Sequence, residues 1–202
     1  VIRGGTVIDG TGQPQRSADV AIDGNQLTAV GSGISRGDRE INAAGALVMP
    51  GWVDVHTHYD GQVTWDPYLT PSSWHGVTTA VFGNCGVGFA PVNNGTEDYL
   101  INLMEGVEDI PGTALHEGID WDWESFPQFL DAIEKKEFVI DVGAMVGHGP
   151  IRSYVMGYDR CQCKDDASKE EIAAMAKLTK EDIKAGALGF SSSRTYLHTD
   201  VH

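Results

Sequence analysis

The 202-residue sequence predicts an α/β fold, in which the first four β/α units of a TIM-like (β/α)8 barrel follow part of a small β-sandwich. Residues 1–49 contain short apolar runs separated by glycine turns and show no helical spacing. From residue 50 onward, β-branched runs alternate with stretches of helical spacing, which is typical of parallel β/α units. Polar residues recur where these strands end, and a β/α barrel builds its active site there. We therefore assign residues 1–49 to the sandwich and residues 50–202 to the barrel.

The composition restricts the class of protein. The formal net charge of −15 argues against a nucleic-acid surface, because phosphate binding requires clustered lysine and arginine. No apolar run is long enough to span a bilayer, and no basic, hydrophobic leader is present. We therefore expect a cytoplasmic protein with no membrane contact.

The first segment has the pattern of short strands. Asp23-Gly24-Asn25 separates two apolar runs, residues 19–22 and 27–30, which is a strong hairpin signal. Two shorter runs flank Gly4-Gly5, and residues 46–49 lead into the barrel. These features predict the N-terminal part of a small sandwich.

The first barrel strand is predicted at residues 52–58, directly after the turn residues Pro50 and Gly51. Side chains alternate along a strand, so Asp54, His56 and His58 would share one face. Neutral imidazole is the commonest protein ligand for zinc, and two imidazoles directed at one point favour a metal site over a chance polar face. Zinc requires at least a third protein ligand from elsewhere in the chain.

The second strand is predicted at Val77–Phe82, after a short helix that includes Ser72–His75 and is closed by Gly76. A glycine-rich turn follows at residues 83–88, and its glycines allow a close approach of the backbone to a ligand. Cys85 lies in this turn, one strand after the histidine pair. By position alone it is either a buried structural cysteine or a thiolate ligand.

Three helices and a loop are predicted next. Thr96 is expected to cap a helix that stops at Gly106, and residues 107–123 are expected to form a long loop over a site, because acids, glycine, proline and tryptophan dominate them. Two capping boxes then mark the starts of further helices. Each pairs a serine with a residue three positions later: Ser125 with Gln128, and Ser168 with Glu171.

The third and fourth strands are predicted at residues 138–145 and 187–190. A complete barrel takes roughly 250 residues and eight strands, so half of it would be missing from this chain. The chain also begins at Val1 without an initiator methionine. We therefore expect the N-terminal part of a longer protein.

Several blocks of the sequence resemble known families. Residues 51–62, GWVDVHTHYDGQ, resemble the amidohydrolase superfamily. Residues 72–79, SSWHGVTT, and residues 83–88, GNCGVG, look like its N-acyl-D-amino-acid deacylase branch, also called D-aminoacylases. Residues 147–150 and 187–195 are similar to further blocks of that branch. The match covers nearly the whole chain.

The resemblance implies a zinc site. It implies that His56, His58 and Cys85 are its ligands. Many relatives outside the branch bridge two metals with a carboxylated lysine from the fourth strand, and no lysine stands between Ala187 and Arg194. This difference agrees with Cys85 taking the place of that lysine.

The resemblance also implies the reaction, which is hydrolysis of the linear amide C–N bond of an N-acyl-D-amino acid by metal-bound hydroxide. The branch places its remaining zinc histidines and a catalytic aspartate on later strands, which we expect beyond His202. The general base is therefore unknown in this chain, and the fragment alone is expected to be inactive.

The substrate of such an enzyme, a small N-acyl amino acid, carries a carboxylate. Arg152 and Arg194 follow the third and fourth strands and can each offer a bidentate contact, although a surface salt bridge is an equally good interpretation of either one. His148 and Tyr196 are further candidates for contact with the substrate.

Two other functions are consistent with the same residues. A hydantoinase-like enzyme would keep the fold and hydrolyse a cyclic amide, although the missing lysine argues against it. A truncated or degenerate homologue without catalytic activity would instead serve as a scaffold or assembly subunit. The preference for D over L substrates, the acyl and side-chain specificity, the number of metals and the oligomeric state do not follow from these residues.

Overall fold

The computed structural model describes residues 1–108, 110–162 and 165–193. The chain divides into two compact units, Val1–Gly51 and Trp52–His202. Strands and helices are both present, so the predicted α/β class is confirmed. Within the described residues, no helix has the length and apolar character needed to cross a membrane.

The first unit contains one five-stranded sheet. Its strands are β1 (Ile2–Val7), β2 (Arg16–Asp23), β3 (Gln26–Gly31), β4 (Ile41–Asn42) and β5 (Leu47–Val48). The first three are antiparallel neighbours, and β4 and β5 both pair in parallel with β1. The predicted hairpin is present, with Asp23 paired to Gln26 across the turn. Gly4 and Gly5 do not divide the first strand as the sequence suggested, because β1 absorbs them in a register shift.

Arg3 fixes a loop of the first unit to its sheet. Its guanidinium donates to Asp19 at 2.8 Å and to Glu40 at 2.6 Å, and it also donates to the backbone carbonyls of Ile34 and Ser35, both at 2.8 Å. These contacts join the strand, its antiparallel neighbour and the segment before β4. The small core of this unit consists of Val7, Ala18 and Val20.

The second unit is built on parallel strands. They are β6 (Trp52–Asp54), β7 (Val77–Phe82), β8 (Asp141–Ala144), β9 (Val146–Gly147) and β10 (Phe190–Ser191). The order β6-β7-β8 forms one parallel sheet, and β9 pairs in parallel with β10. Around Met145, the amide of Met145 donates to Phe82 and the amide of Val146 donates to Gly189. One chain segment thus links the two sheets.

Three of the predicted strands have wrong limits. The first stops at Asp54, the third begins at Asp141, and the fourth is reduced to Phe190–Ser191. Only Val77–Phe82 has the predicted limits. A run of β-branched residues also suits extended chain that has no ladder partner, so composition alone overestimates strand length.

Six α-helices are described in the second unit: α1 (Glu97–Glu108), α2 (Gly112–Gly118), α3 (Phe126–Glu134), α4 (His148–Met156), α5 (Tyr158–Gln162) and α6 (Lys169–Ala185). Two short 3-10 helices, Gln62–Thr64 and Ser72–His75, precede them. Both predicted capping boxes are present. Gly106 lies inside α1 instead of ending it, and α2 occupies part of the predicted loop. The Thr96 hydroxyl donates to the Asn93 carbonyl at 2.7 Å, and its capping of α1 stays a prediction.

The main core lies between β7, the segment after it, and helices α1 and α3. Its fully buried side chains include Phe82, Phe89, Leu100 and Met104. Helix α6 contributes less, because its apolar residues Ile172 and Ile183 are 54% and 42% exposed. They line a groove of about 870 Å³ between α4 and α6.

Candidate metal centre

The two predicted histidine ligands lie in the loop after β6, not within the strand. The backbone of this loop is fixed by Thr57, whose amide and hydroxyl both donate to the Val81 carbonyl at 2.9 Å. The amide of His56 also contacts a carboxylate oxygen of Asp54 at 3.4 Å. The rings of His56 and His58 are 5.4 Å apart. Attachment to β7, rather than strand alternation, brings the two rings together.

Cys85 is held by a turn of unusual backbone geometry. Its φ is +56°, in the left-handed region that non-glycine residues rarely occupy, and Gly83 and Gly86 have φ of +79° and +80°. A Cβ atom on Gly83 would lie 2.0 Å from the Met145 carbonyl oxygen. The Ser191 hydroxyl accepts a hydrogen bond from the Gly86 amide at 3.0 Å. Position 83 therefore requires glycine. The bond from Gly86 to Ser191 shows that β10 helps to hold the turn.

The structure brings His56, His58 and Cys85 together. One ligand atom from each lies within 4.8 Å of the others, and His56 Nε2 is 3.2 Å from Cys85 Sγ. Zinc binds imidazole nitrogen and thiolate sulfur at about 2.0–2.3 Å, so ligands of one ion are separated by roughly 3–4 Å. The His56–Cys85 pair has this spacing, and small rotations of the side chains would bring in the third group. The donor set fits a zinc-like ion.

Burial alters the pKa values of two of the three groups, His58 and Cys85. Burial, with a smaller contribution from His56, lowers the pKa of His58 to about 4, so its imidazole is neutral at pH 7. Neutral imidazole is the form that binds metals. Burial, followed by the charges of Glu108 and Asp60, raises the pKa of the Cys85 thiol. A bound cation would reverse that effect, because coordination favours the thiolate.

Two acidic residues next to the histidines were missed in the sequence. Asp60 is only 2% exposed, and burial raises the pKa of its carboxyl to about 7. Its Oδ2 atom has no hydrogen-bond partner among the described residues. Glu108 places Oε1 3.1 Å from His58 Nε2. The HTHYD run shows Asp60 close in sequence, but no local pattern connects Glu108 with His58.

The two substrate-contact candidates that the structure describes, His148 and Arg152, are not members of the three-residue cluster. His148 and Arg152 both lie on α4 and line the groove between α4 and α6. The Arg152 guanidinium donates to the backbone carbonyl of Asp165, and the His148 ring is 6.1 Å from that of Phe190. Arg194 and Tyr196 lie outside the described residues.

Comparison with known proteins identifies the family of this chain. The amidohydrolase family matches residues 39–202, and the chain therefore belongs to that family. The predicted resemblance is thus confirmed.

Among its relatives, the D-aminoacylase of Alcaligenes xylosoxydans xylosoxydans is 32% identical over 197 residues, which cover 97% of this chain and 38% of that protein. A solved structure concerned with the binuclear metal centre of a D-aminoacylase has 35% identity and a TM-score of 0.77, and the match covers 95% of this chain and 37% of that one. The N-acyl-D-glutamate deacylase of Bordetella bronchiseptica, solved with zinc and a phosphonate inhibitor, has 31% identity, a TM-score of 0.76 and the same two coverages. This chain thus spans little more than a third of their lengths.

Proposed function

We propose that this chain forms part of a zinc-dependent hydrolase that removes the acyl group from an N-acyl-D-amino acid. The observation that carries the proposal is the convergence of His56, His58 and Cys85 at the ends of two adjacent parallel strands. Similarity to D-aminoacylase and to N-acyl-D-glutamate deacylase supports the substrate class. The predicted cytoplasmic location and the small-molecule substrate are part of the same proposal.

In this proposal His56, His58 and Cys85 hold the ion. A zinc ion supplies Lewis acidity, which activates water and polarises an amide carbonyl. The contribution of this chain is to present the two imidazoles and the thiol close together in a partly buried place. Thr57 and the turn around Gly83 orient them before the ion binds, which reduces the cost of ordering the site.

The architecture of the whole protein is also a proposal. Parallel strands β6, β7 and β8, followed by the β9–β10 pair, are in sequence order, as the first units of a β/α barrel would be. The coverage of the relatives, 37–38%, supports further strands in a longer protein. We propose that such strands complete the barrel and supply the general base, and that the sheet of residues 1–49 belongs to a small sandwich.

Contacts with the substrate are the least constrained part of the proposal. Substrate binding by His148, Arg152, Arg194 and Tyr196 stays a prediction. For Arg152 to hold a carboxylate, it would have to exchange its contact with the Asp165 carbonyl. A bidentate contact with a carboxylate is stronger than a bond to a neutral carbonyl, which favours this exchange.

The proposal is tested on the full-length protein that contains these residues. We expect bound zinc and hydrolysis of N-acyl-D-amino acids in preference to their L enantiomers. His56→Ala should abolish both zinc binding and turnover. His116→Ala is the matched control, because His116 is exposed on α2 and should leave both unchanged.

Two results would contradict the proposal. If the protein bound zinc but deacylated no N-acyl-D-amino acid, the proposed reaction would be wrong. Ring opening of a cyclic amide without deacylation would favour the hydantoinase-like alternative.

A further inference from the structure

Glu108 is the last residue of α1 and reaches the loop that carries the histidine pair. Its Oε1 atom is 3.1 Å from His58 Nε2, and the two side chains are 25% and 13% exposed. It is also close enough to Asp60 and Cys85 to interact electrostatically with both. A carboxylate is therefore placed beside the cluster without being one of its three members.

Packing determines the position of this carboxylate. Helix α1 buries Leu100, Ile101, Leu103 and Met104 in the main core. A helix end anchored by four core side chains is less free than a surface loop, so Glu108 is presented from a rigid element. The carbonyl groups at a helix C-terminus carry partial negative charge, which also favours a cation nearby.

We propose that Glu108 is a positioning residue for His58 and thereby strengthens metal binding at the cluster. The inference depends on the proposed metal site. At 3.1 Å the Glu108 carboxylate is close enough to His58 Nε2 to accept a hydrogen bond from it when the metal is held by the other ring nitrogen. Such a carboxylate fixes the ring orientation and makes the ring a better donor to the metal. Its negative charge also attracts the cation. Glu108 thus acts through His58 and is not itself a ligand.

The test is the zinc affinity of the full-length protein, measured by competition with a chromophoric chelator. Glu108→Ala should weaken zinc binding about 10- to 100-fold. Glu108→Gln keeps an acceptor oxygen but loses the charge, so it should recover part of the loss. Asp98→Asn is the control, because it makes the same type of change at an exposed position of α1 and should have no effect.

Cobalt substitution separates positioning from direct ligation. If Glu108 only positions His58, the visible spectrum of the Glu108→Gln protein loaded with cobalt should match that of the parent protein loaded with cobalt. A spectrum showing a changed coordination number would overturn the inference in favour of a ligand role. Equal zinc affinity of Glu108→Ala and the unsubstituted sequence would also overturn it. If the unsubstituted protein bound no zinc, the proposed metal site itself would fail, which is a separate outcome.

Discussion

Asp60 and Asp182 are buried carboxyl groups of the second unit. Each is 2% exposed, and the Oδ2 atom of each has no hydrogen-bond partner among the described residues. Burial raises the pKa of both, because transfer from water disfavours the charged form. Asp60 lies beside the proposed metal site, whereas Asp182 on α6 lies apart from it in the sequence and should make the native state sensitive to pH.

Asp182 should therefore reduce stability as the pH rises. Burial, then the charge of Glu181, raises its pKa from 3.8 to about 6 in the folded protein. Below pH 4 both states are protonated; between pH 4 and 6 the unfolded state loses its proton first, so the free energy of unfolding falls. Asp182→Asn should remove this fall. The difference in free energy of unfolding between Asp182→Asn and the parent should therefore be larger at pH 7 than at pH 3.5, by up to roughly 3 kcal/mol.

Urea unfolding of both proteins at several pH values measures the effect. Glu170→Gln is the control, since this carboxylate is exposed in the first turn of the same helix and is not a cause of the raised pKa of Asp182, so it should change the pH dependence little. A constant difference between Asp182→Asn and the parent across pH 4–7 would show that the carboxyl of Asp182 ionises normally in the folded state.

The sequence could reveal some residues of the site but not others. His56 and His58 were predictable because their spacing of two residues is a local pattern, and Cys85 gained its role from the surrounding GNCGVG block. Glu108 was not predictable, since its contact with His58 depends on where the whole of α1 packs. Burial of Asp60 is likewise a tertiary property, which the polar run around it conceals.

At the scale of elements, the turn after β7 determines where Cys85 lies. The turn is confined between two other segments: Gly83 faces the Met145 carbonyl, and Gly86 lies against the backbone of Ser192. Its backbone also bonds to the residues that follow β9 and β10, as in the 2.7 Å bond from Gly149 to Gly86. The turn has little room to move without displacing its neighbours.

Gly83→Ala should therefore destabilise the protein and weaken zinc binding together. Gly76→Ala is a matched control, because Gly76 has nearly the same φ, +83° against +79°, in a left-handed conformation, and an added Cβ would make only ordinary van der Waals contact, 3.6 Å from Trp52. The control carries only the left-handed backbone penalty, about 1 kcal/mol. Gly83→Ala adds the clash with Met145 and should cost at least roughly 2 kcal/mol.

The two variants are compared by urea unfolding and by zinc affinity. Equal losses of stability would show that the 2.0 Å approach to Met145 relaxes easily. Unchanged zinc affinity in Gly83→Ala would show that the turn does not position the thiol.

Local signals determined which helices could be predicted. Both capping boxes were found, because a serine and its partner three residues later act within one turn. Helices α2 and α4 were missed, since glycine at residue 112 and the GHGP run around Pro150 resemble loop sequence. Proline within the first turn of α4 is compatible with a helix, because the amide it lacks would have no intrahelical partner there.

At the scale of the molecule, the two compact units have separate cores. Alternation of strand and helix was enough to predict the α/β class, because each strand and each helix has a local pattern in its own segment of the sequence. Completion of a barrel depends on pairing between distant strands, and no pattern within residues 50–202 specifies it. For the same reason, the sequence did not show that helix α6 leaves Ile172 and Ile183 exposed.

Arg3→Gln tests whether the units are independent. Replacing the guanidinium removes its contacts with Asp19 and Glu40 and with two backbone carbonyls. We expect a lower thermal midpoint for the first unit, but unchanged zinc affinity in the second. Arg39→Gln, at an exposed position, is the control for loss of charge. A fall in zinc affinity with Arg3→Gln would show that the units are coupled.

The left-handed backbone of Cys85 also offers a way to sort related sequences. At a φ of +56°, glycine would avoid a penalty of about 1–2 kcal/mol that most side chains incur, and asparagine would reduce it. A side chain with a function would offset that penalty, and the function that we propose for Cys85 is metal ligation. In a copy that has lost its metal, mutation and selection for stability would both favour glycine or asparagine here. The residue at this one position should therefore distinguish active enzymes from inactive homologues before any assay is run.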